Sequence, residues 1–238
     1  MTTFAEIRAK STWGDIIEGQ PHHGAIAILM TAGACALLKS PEGTATLLGL
    51  SPVCWAQVSI LLALIHQGLV AGIFRLQLHK NLITRLFGDK DMKVWAALFM
   101  PLLIARPLSM IMVGWADAGP GLTDYRNIEI GLGVALIAVA AYGMHSVLTY
   151  FTLPRALGGD HFRDEYLAMP MVDKGLFKFT ANGMYGVVFL GLWGIALLFG
   201  SWNALVVALF QHAYIWVHMY CTEAPDLRRM FPGTPLAT

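Results

Sequence analysis

The residue best suited to chemistry in this sequence is Glu223, which stands at the end of an apolar run of the chain. It is followed by Pro225 and by the basic pair Arg228 and Arg229. A carboxylate held near hydrocarbon is energetically costly and needs a partner. At the C-terminal end of a helix, a glutamate also opposes the helix dipole. Both effects indicate that Glu223 has a specific cationic or hydrogen-bonding partner.

The apolar run before Glu223 carries polar side chains in two neighbouring rows. Each row has the spacing i, i+7 and i+11, and the rows are Gln211, His218 and Thr222, then His212, Met219 and Glu223. Polar groups within a membrane span usually face a cavity or a partner helix. The interleaved Tyr214, Trp216 and Tyr220 leave open a second interpretation, in which this helix is simply anchored at the membrane surface.

Arg106 lies inside another apolar run, between Pro101 and Pro107. An arginine at the centre of a membrane helix costs on the order of 2.5–3.5 kcal/mol on insertion scales. The two prolines can free backbone carbonyls to receive it. Binding of a lipid phosphate and pairing with a buried acid are equally open for Arg106.

The composition predicts the elements that must position these residues. The chain has 238 residues, of which 56% are hydrophobic and 13% charged, whereas about a quarter of a soluble domain is charged. We therefore predict an all-α, polytopic membrane bundle of about six transmembrane helices, at 24–38, 53–74, 94–113, 128–151, 183–200 and 202–221. Residues 1–238 would form a single integral membrane domain, with 1–22 as a polar or interfacial segment. The net charge of +1 argues against a nucleic-acid partner, and three cysteines without a C-x-x-C pair predict no thiol metal site.

Positive charges predict how this bundle is oriented. Thirteen of the sixteen Lys and Arg residues precede the first span, lie in the loops after the second and fourth spans, or follow the sixth. Only Lys39 and Arg126 fall on the opposite side, and Arg106 lies within a span. The positive-inside rule then places both termini and both long loops in the cytoplasm.

Three motifs in the C-terminal half occur in an order that resembles the phospholipid (phosphatidylethanolamine) N-methyltransferases, which are membrane-embedded enzymes related to the isoprenylcysteine carboxyl methyltransferases. The motifs are Gly131-Leu132-Gly133, Asn182-Gly183-Met184-Tyr185 and Thr222-Glu223-Ala224-Pro225-Asp226-Leu227. The resemblance covers roughly 128–232. It departs from the family pattern at Gly183, which replaces the usual proline, and at Ala224, where some members have a second glutamate.

The resemblance implies that S-adenosylmethionine is the methyl donor and that 128–232 form its binding core. The expected donor-binding residues are Gly131, Gly133, Asn182, Met184, Tyr185, Thr222 and Glu223. Each motif also has a plainer explanation, because glycines allow membrane helices to approach each other and Asn182 can cap a helix.

The acceptor implied by the resemblance is the amine of a phospholipid in the bilayer, on the cytoplasmic side. A lipid ammonium must lose a proton before it can be methylated, and the candidate bases are Glu223, His218 and His161. Arg106 and Arg163 are expected to bind the lipid phosphate. A membrane carboxyl or thiol methyltransferase is the main alternative, and a haem-binding or transport protein is the other.

Overall fold

The computed structural model describes residues 3–40 and 46–233, which form helices and connecting turns without a β-strand. The α-helices, in chain order, are α1 (Phe4–Lys10), α2 (Trp13–Ile17), α3 (Gln20–Leu37), α4 (Pro52–Lys80), α5 (Leu82–Phe87), α6 (Asp91–Ala116), α7 (Arg126–Ser146), α8 (Leu153–Ala156), α9 (Asp164–Leu167), α10 (Leu190–Phe199), α11 (Trp202–His218) and α12 (Ala224–Met230). The predicted all-α membrane bundle is thus confirmed.

Three of these helices are extended by π-helical turns with one residue more per turn. The turns are Val147–Phe151 after α7, Met184–Val188 before α10, and Met219–Glu223 between α11 and α12. Such turns are rare and are frequently found at functional sites. Two of the three contain residues of the sequence motifs, Tyr185 and Glu223.

Four helical segments are long and apolar enough to cross a membrane: Pro52–Lys80, Leu82–Ala116, Arg126–Phe151 and Trp202–Met230. Each contains or nearly matches one of the predicted spans. Met184–Phe199 is a shorter apolar helix, and α3 covers most of the predicted span at 24–38. The count of six spans stays a prediction.

Helix α11 is the centre of the bundle. It contacts α3, α4, α6 and α10, while α7 packs against α10 on the outside. The main core consists largely of small and branched side chains from these helices, among them Ala56, Ala63, Ala196, Ala204 and Ala208. Small side chains let helix backbones approach closely, as expected where lipid removes the hydrophobic drive for association.

The two ends of the bundle differ in charge. At one end, Asn203 hydrogen-bonds the backbone of Lys39, and the Arg126 guanidinium donates to the carbonyls of Leu197 and Leu198 at 2.6 and 2.5 Å. Lys39 and Arg126 are the two cations that the charge pattern assigns to the minority side. They therefore lie at the same end of the bundle.

The N-terminal segment, predicted as polar or interfacial, packs at the opposite end. Phe4 and Ile7 of α1 are buried in a small core with Leu78, Leu167 and Met230. Both α1 and α2 begin with capping boxes, from Thr3 and Thr12, which satisfy the free N–H groups of a helix start. Helices from the two ends of the chain therefore cover the same end of the bundle.

Candidate active site

The second and third sequence motifs meet through Tyr185 and Glu223. The Tyr185 hydroxyl donates to the Glu223 carboxylate, with its oxygen 2.5 Å from Oε1 and 2.7 Å from Oε2. Tyr185 lies in the π-helical turn that precedes α10, and Glu223 ends the one that follows α11. Glu223, at the end of an apolar helix, thus has a neutral phenol as its hydrogen-bonding partner.

Tyr185 is held in place from α11. Its ring contacts Trp216 edge-on at a centroid distance of 6.2 Å. Its backbone is hydrogen-bonded to His212, whose Nδ1 accepts from Trp193 Nε1 at 2.9 Å. Because Nδ1 accepts, the proton of a neutral His212 lies on Nε2, which is then the donor for the Tyr185 backbone.

His218 is the second predicted base that the structure places beside Glu223. Its Nε2 lies 3.5 Å from Glu223 Oε1, within ion-pair distance if the ring is protonated, and neither ring nitrogen has a hydrogen-bond partner among the described residues. His218 is only 1% exposed. A buried, unpartnered imidazole is costly, so His218 is poised to bind a polar group that enters this site.

The turn before α3 supports the π-helical turn that carries Glu223. Gln20 Nε2 donates to the Cys221 carbonyl and to Thr222 Oγ1, each at 3.2 Å. Gly19 has φ +77°, and a Cβ there would lie 2.2 Å from the Cys221 carbonyl oxygen. Thr222, predicted to bind the donor, is therefore fully buried and bonded to Gln20. The sequence reasoning missed Gly19 and Gln20, whose contacts depend on residues about two hundred positions away.

Asp226 of the third motif forms a separate buried ion cluster. Arg75 Nη1 lies 2.7 Å from Asp226 Oδ1, and both side chains are almost fully buried. Arg75 Nη2 also donates to the carbonyls of Cys221 and Thr222 at 3.2 and 3.0 Å. Arg75 thus satisfies carbonyl groups freed by the π-helical turn, and Asp226 neutralises its charge.

His161, predicted as a candidate base, belongs to this cluster. Its Nε2 lies 3.3 Å from Asp226 Oδ2 and its Nδ1 lies 3.0 Å from Asp160, while its ring stacks on Phe74 at 4.0 Å. Burial alone would lower the pKa of His161, but Asp160 and Asp226 outweigh it and raise the pKa to about 10. The raised pKa favours the protonated form of His161 at neutral pH, and its role as the base stays a prediction.

The Gly131–Gly133 motif does not lie beside Glu223. A Cβ on Gly133 would lie 3.0 Å from the Gly194 carbonyl, and one on Gly131 would meet no atom within 4 Å. Gly194 follows Tyr185 by nine residues, or about 13 Å of helix. Gly133 therefore allows α7 to pack closely on α10. Contact of Gly131 and Gly133 with the methyl donor stays a prediction.

Asn182 and Met184 flank the turn that holds Tyr185. The Asn182 carbonyl accepts from the N–H groups of Tyr185 and Gly186 at 3.1 and 2.9 Å, and both side chains are partly exposed. The glycine that replaces the family proline is also explained, because a Cβ on Gly183 would lie 2.5 Å from the side chain of Leu176. The side chains of Asn182 and Met184 are thus accessible next to Tyr185.

Arg106 lies in a polar network deep in the bundle. Its Nε donates to Gln211 Oε1 at 2.9 Å, its Nη1 lies 3.4 Å from His66 Nδ1, and Nη2 has no partner. Gln211 in turn donates to Ser59 at 3.0 Å. The described residues offer Arg106 no carboxylate within ion-pair distance, so the expected pairing with an acid is not found there.

The depth of Arg106 bears on its predicted contact with the lipid phosphate. Gln211 precedes Glu223 by twelve residues, which is about 18 Å along a helix. The ethanolamine linker P–O–C–C–N is far shorter than this distance. Binding of the lipid phosphate by Arg106 stays a prediction.

Arg163, the other predicted phosphate ligand, is bound to Asp91. Its two Nη atoms lie 2.7 and 2.6 Å from the Asp91 oxygens, and this bidentate pair ties the long loop after α7 to the start of α6. Arg163 also lines a cavity of about 360 Å³ with Lys93 and Tyr166. Substrate binding by Arg163 stays a prediction.

Comparison with known proteins finds a family model that matches the C-terminal half. Residues 128–234 match the profile of the phospholipid methyltransferase family, so the predicted resemblance is confirmed. Both Tyr185 and Glu223 lie within the matched residues.

The curated relatives carry the name phosphatidylethanolamine N-methyltransferase. The protein from Malassezia globosa is 27% identical over 137 residues, which are 58% of this chain and 14% of that protein. The protein from Scheffersomyces stipitis is 27% identical over 73 residues, which are 31% of this chain and 8% of that protein. The protein from Meyerozyma guilliermondii is 24% identical over 108 residues, which are 45% of this chain and 12% of that protein. The chain thus matches only a small part of the length of these relatives. No solved structure shows significant similarity to it.

Proposed function

Because residues 128–234 match the phospholipid methyltransferases, we propose that this membrane protein transfers methyl groups from S-adenosylmethionine to the headgroup amine of phosphatidylethanolamine, towards phosphatidylcholine. The observation that carries the proposal is the hydrogen bond between Tyr185 and Glu223. It joins two motifs that are 38 residues apart in the chain and lie within the matched segment.

The residues around Tyr185 and Glu223 are suited to bind a methyl donor that carries polar groups. The side chains of Asn182 and Met184 are partly exposed, His218 has two unpartnered ring nitrogens, and the Glu223 side chain is 20% exposed. A carboxylate that is still accessible can accept from an ammonium group or from ribose hydroxyls. When bound here, S-adenosylmethionine supplies an electrophilic methyl group on a sulfonium centre.

The chain itself contributes proton removal and orientation. A phospholipid amine is an ammonium at neutral pH and must lose its proton so that its nitrogen lone pair is free. The Glu223 carboxylate or His218 Nε2 accepts this proton, since both lie at the same point of the site. The bond to the methyl carbon then forms at nitrogen as the sulfur–carbon bond breaks with its electron pair left on sulfur. Tyr185 holds the carboxylate in one orientation, and positioning of this kind supplies much of the rate.

The side of the membrane follows from charge. Glu223 lies at the end of the bundle where Arg75 meets Asp226 and where Arg229 pairs with Asp15 at 2.7 Å. Lys39 and Arg126, the two cations predicted to lie on the opposite side of the membrane, are at the other end. The positive-inside rule places the charge-rich end, and with it the site and both termini, in the cytoplasm.

The proposal is tested by incubating the purified protein with labelled S-adenosylmethionine and vesicles that contain phosphatidylethanolamine. We expect label in mono-, di- or trimethylated lipid and none in vesicles of phosphatidylglycerol, which has no amine. Label on a prenylated cysteine or a small thiol, with none on the lipid amine, would replace the proposed acceptor by the alternative one.

A further inference from the structure

A cleft between the N-terminal helices and α4 lies outside the C-terminal segment that matches the family. Its volume is about 410 Å³, and its walls come from α2, α3 and α4, with Tyr214 of α11 at its inner end. Three glycines, Gly24, Gly68 and Gly72, line it. A Cβ added at any of the three would meet no described atom within 4 Å, so all three glycines border open space.

Two residues that line this cleft each have a buried nitrogen atom without a hydrogen-bond partner among the described residues. His23 is 5% exposed and Arg75 is 1% exposed. In the part of the chain that the structure describes, neither His23 Nε2 nor Arg75 Nε has a hydrogen-bond partner. Buried polar groups are almost always hydrogen-bonded in folded proteins. Two exceptions in one cleft indicate a ligand with polar atoms at this depth.

The cleft lies next to the candidate active site. The His23 ring lies 5.3 Å from the Tyr214 ring and 5.5 Å from the His218 ring, measured between centroids. His218 lies next to Glu223. A group that passes His23 therefore arrives where the amine must lose its proton.

The outer side of the cleft faces hydrocarbon. Leu61, Ile65, Gly68 and Gly72 lie on one face of α4 with the spacing of a single helix face, and all four are exposed. Leu76, which lines the cleft at the end near Arg75, lies eight residues beyond Gly68, or about 12 Å along the helix. The cleft thus runs from the depth of lipid headgroups into the acyl region.

We propose that this cleft is the lateral binding site of the phospholipid acceptor. The acyl chain lies along the face formed by Gly68 and Gly72, and the phosphate ester accepts a hydrogen bond from Arg75 Nε. Because His23 Nδ1 donates to Gln20 Oε1, His23 Nε2 is an acceptor, and it accepts a hydrogen bond from the ammonium of the headgroup. The amine then extends past His23 towards His218 and Glu223. This inference rests on the proposed function for its acceptor, and it assigns the lipid to helices outside the matched segment.

The test uses vesicles of phosphatidylethanolamine with a photoactivatable diazirine in one acyl chain. After irradiation of the wild-type protein, peptide mass spectrometry should find label on the α3 and α4 residues that border the cleft, and unlabelled phosphatidylethanolamine should compete. In Gly68→Leu/Gly72→Leu the leucines fill the cleft, so this label should be lost. The KM for lipid should rise about tenfold as acyl methylene groups lose their contacts, with the KM for the donor unchanged.

Gly33→Leu is the matched control, because Gly33 is also exposed on α3 and a Cβ there meets nothing within 4 Å. Leucine favours a helix more than glycine does, so these variants should fold. A wild-type protein that methylates lipid but carries no label in the cleft overturns this inference and leaves the proposed function standing. Label in the cleft without methyl transfer supports the lipid site and overturns the proposed function. Undiminished label in the double leucine variant also contradicts the assignment.

Discussion

The phenol of Tyr185 donates to the carboxylate of Glu223 at 2.5 and 2.7 Å, across the junction of two π-helical turns. A hydrogen bond to a charged group contributes more than one between neutral groups. The geometry therefore ties the carboxylate to one orientation while leaving it 20% exposed towards the site. Neither turn alone would place an acid at this point.

Tyr185→Phe should reduce methyl transfer. The variant keeps the ring contact with Trp216 but removes the hydrogen bond, so the Glu223 carboxylate is no longer held in place. A hydrogen bond to a charged group is worth about 1.5–3 kcal/mol, which corresponds to roughly a 10–100-fold loss of kcat/KM. Initial rates with phosphatidylethanolamine vesicles measure it. Tyr142→Phe, at an exposed position of α7, is the control, and equal activity of the two variants would remove Tyr185 from the site.

Asp226→Asn should destabilise the fold. The change leaves the Arg75 guanidinium buried without its counter-charge, and breaking such a pair by removing one partner costs about 3–5 kcal/mol. Thermal unfolding in detergent measures the loss. Asp173→Asn, at an exposed position, should unfold like the wild-type protein. If Asp226→Asn does so too, Asp226 is not the stabilising partner of Arg75.

His161 should make stability depend on pH. Its folded pKa of about 10 is raised above the unfolded value of 6.5, so its contribution is complete below pH 6.5 and is lost as the pH rises through 10. Asp160, Asp226, Arg75 and His79 surround this charge. The advantage in unfolding temperature of wild type over His161→Gln should therefore shrink between pH 7 and pH 10.

The control for this pH series is His22→Gln, since His22 lies exposed in α3. Its difference from the wild-type protein should stay constant over the same range. A constant difference for His161→Gln as well would show that His161 is not charged in the folded protein.

Gly183→Ala should destabilise the protein, and Leu176→Ala should partly restore it. The added Cβ lies 2.5 Å from Leu176 Cδ2, and overpacking of this kind typically costs about 1–3 kcal/mol. Shortening Leu176 removes the clash, so the double variant should be more stable than the sum of the two single changes predicts. Additive unfolding free energies would mean that glycine stands at 183 for another reason.

The membrane class and most helices could be predicted because long apolar runs and the Lys/Arg asymmetry are local properties of the sequence. The ends of helices were harder, and α4 continues six residues beyond the predicted span because its last turns pack on α1 and α5. Glu223 could be selected because an acid at the end of an apolar helix is unusual.

The contacts that define the site were not available from the sequence. Arg75 and Asp226 are 151 residues apart, and only packing of α4 against the end of α11 brings them together. The depth of Arg106 became clear only from its contact with Gln211. The π-helical turns have no residue signature of their own, since they arise from how neighbouring helices pack. The sequence indicated this buried pair only in that Arg75 lies near the end of an apolar run and Asp226 lies in the third motif.

The most direct test of the central claim is the single-turnover rate of methyl transfer from S-adenosylmethionine to phosphatidylethanolamine in vesicles by Glu223→Gln. Glutamine keeps the size of the side chain but removes the charge that accepts the ammonium proton, so we expect the rate to fall by about 10²–10⁴-fold. Glu165→Gln, at an exposed position of α9, should retain the wild-type rate. A Glu223→Gln protein that methylates lipid as fast as wild type would contradict the assignment of Glu223 and Tyr185 as the catalytic centre.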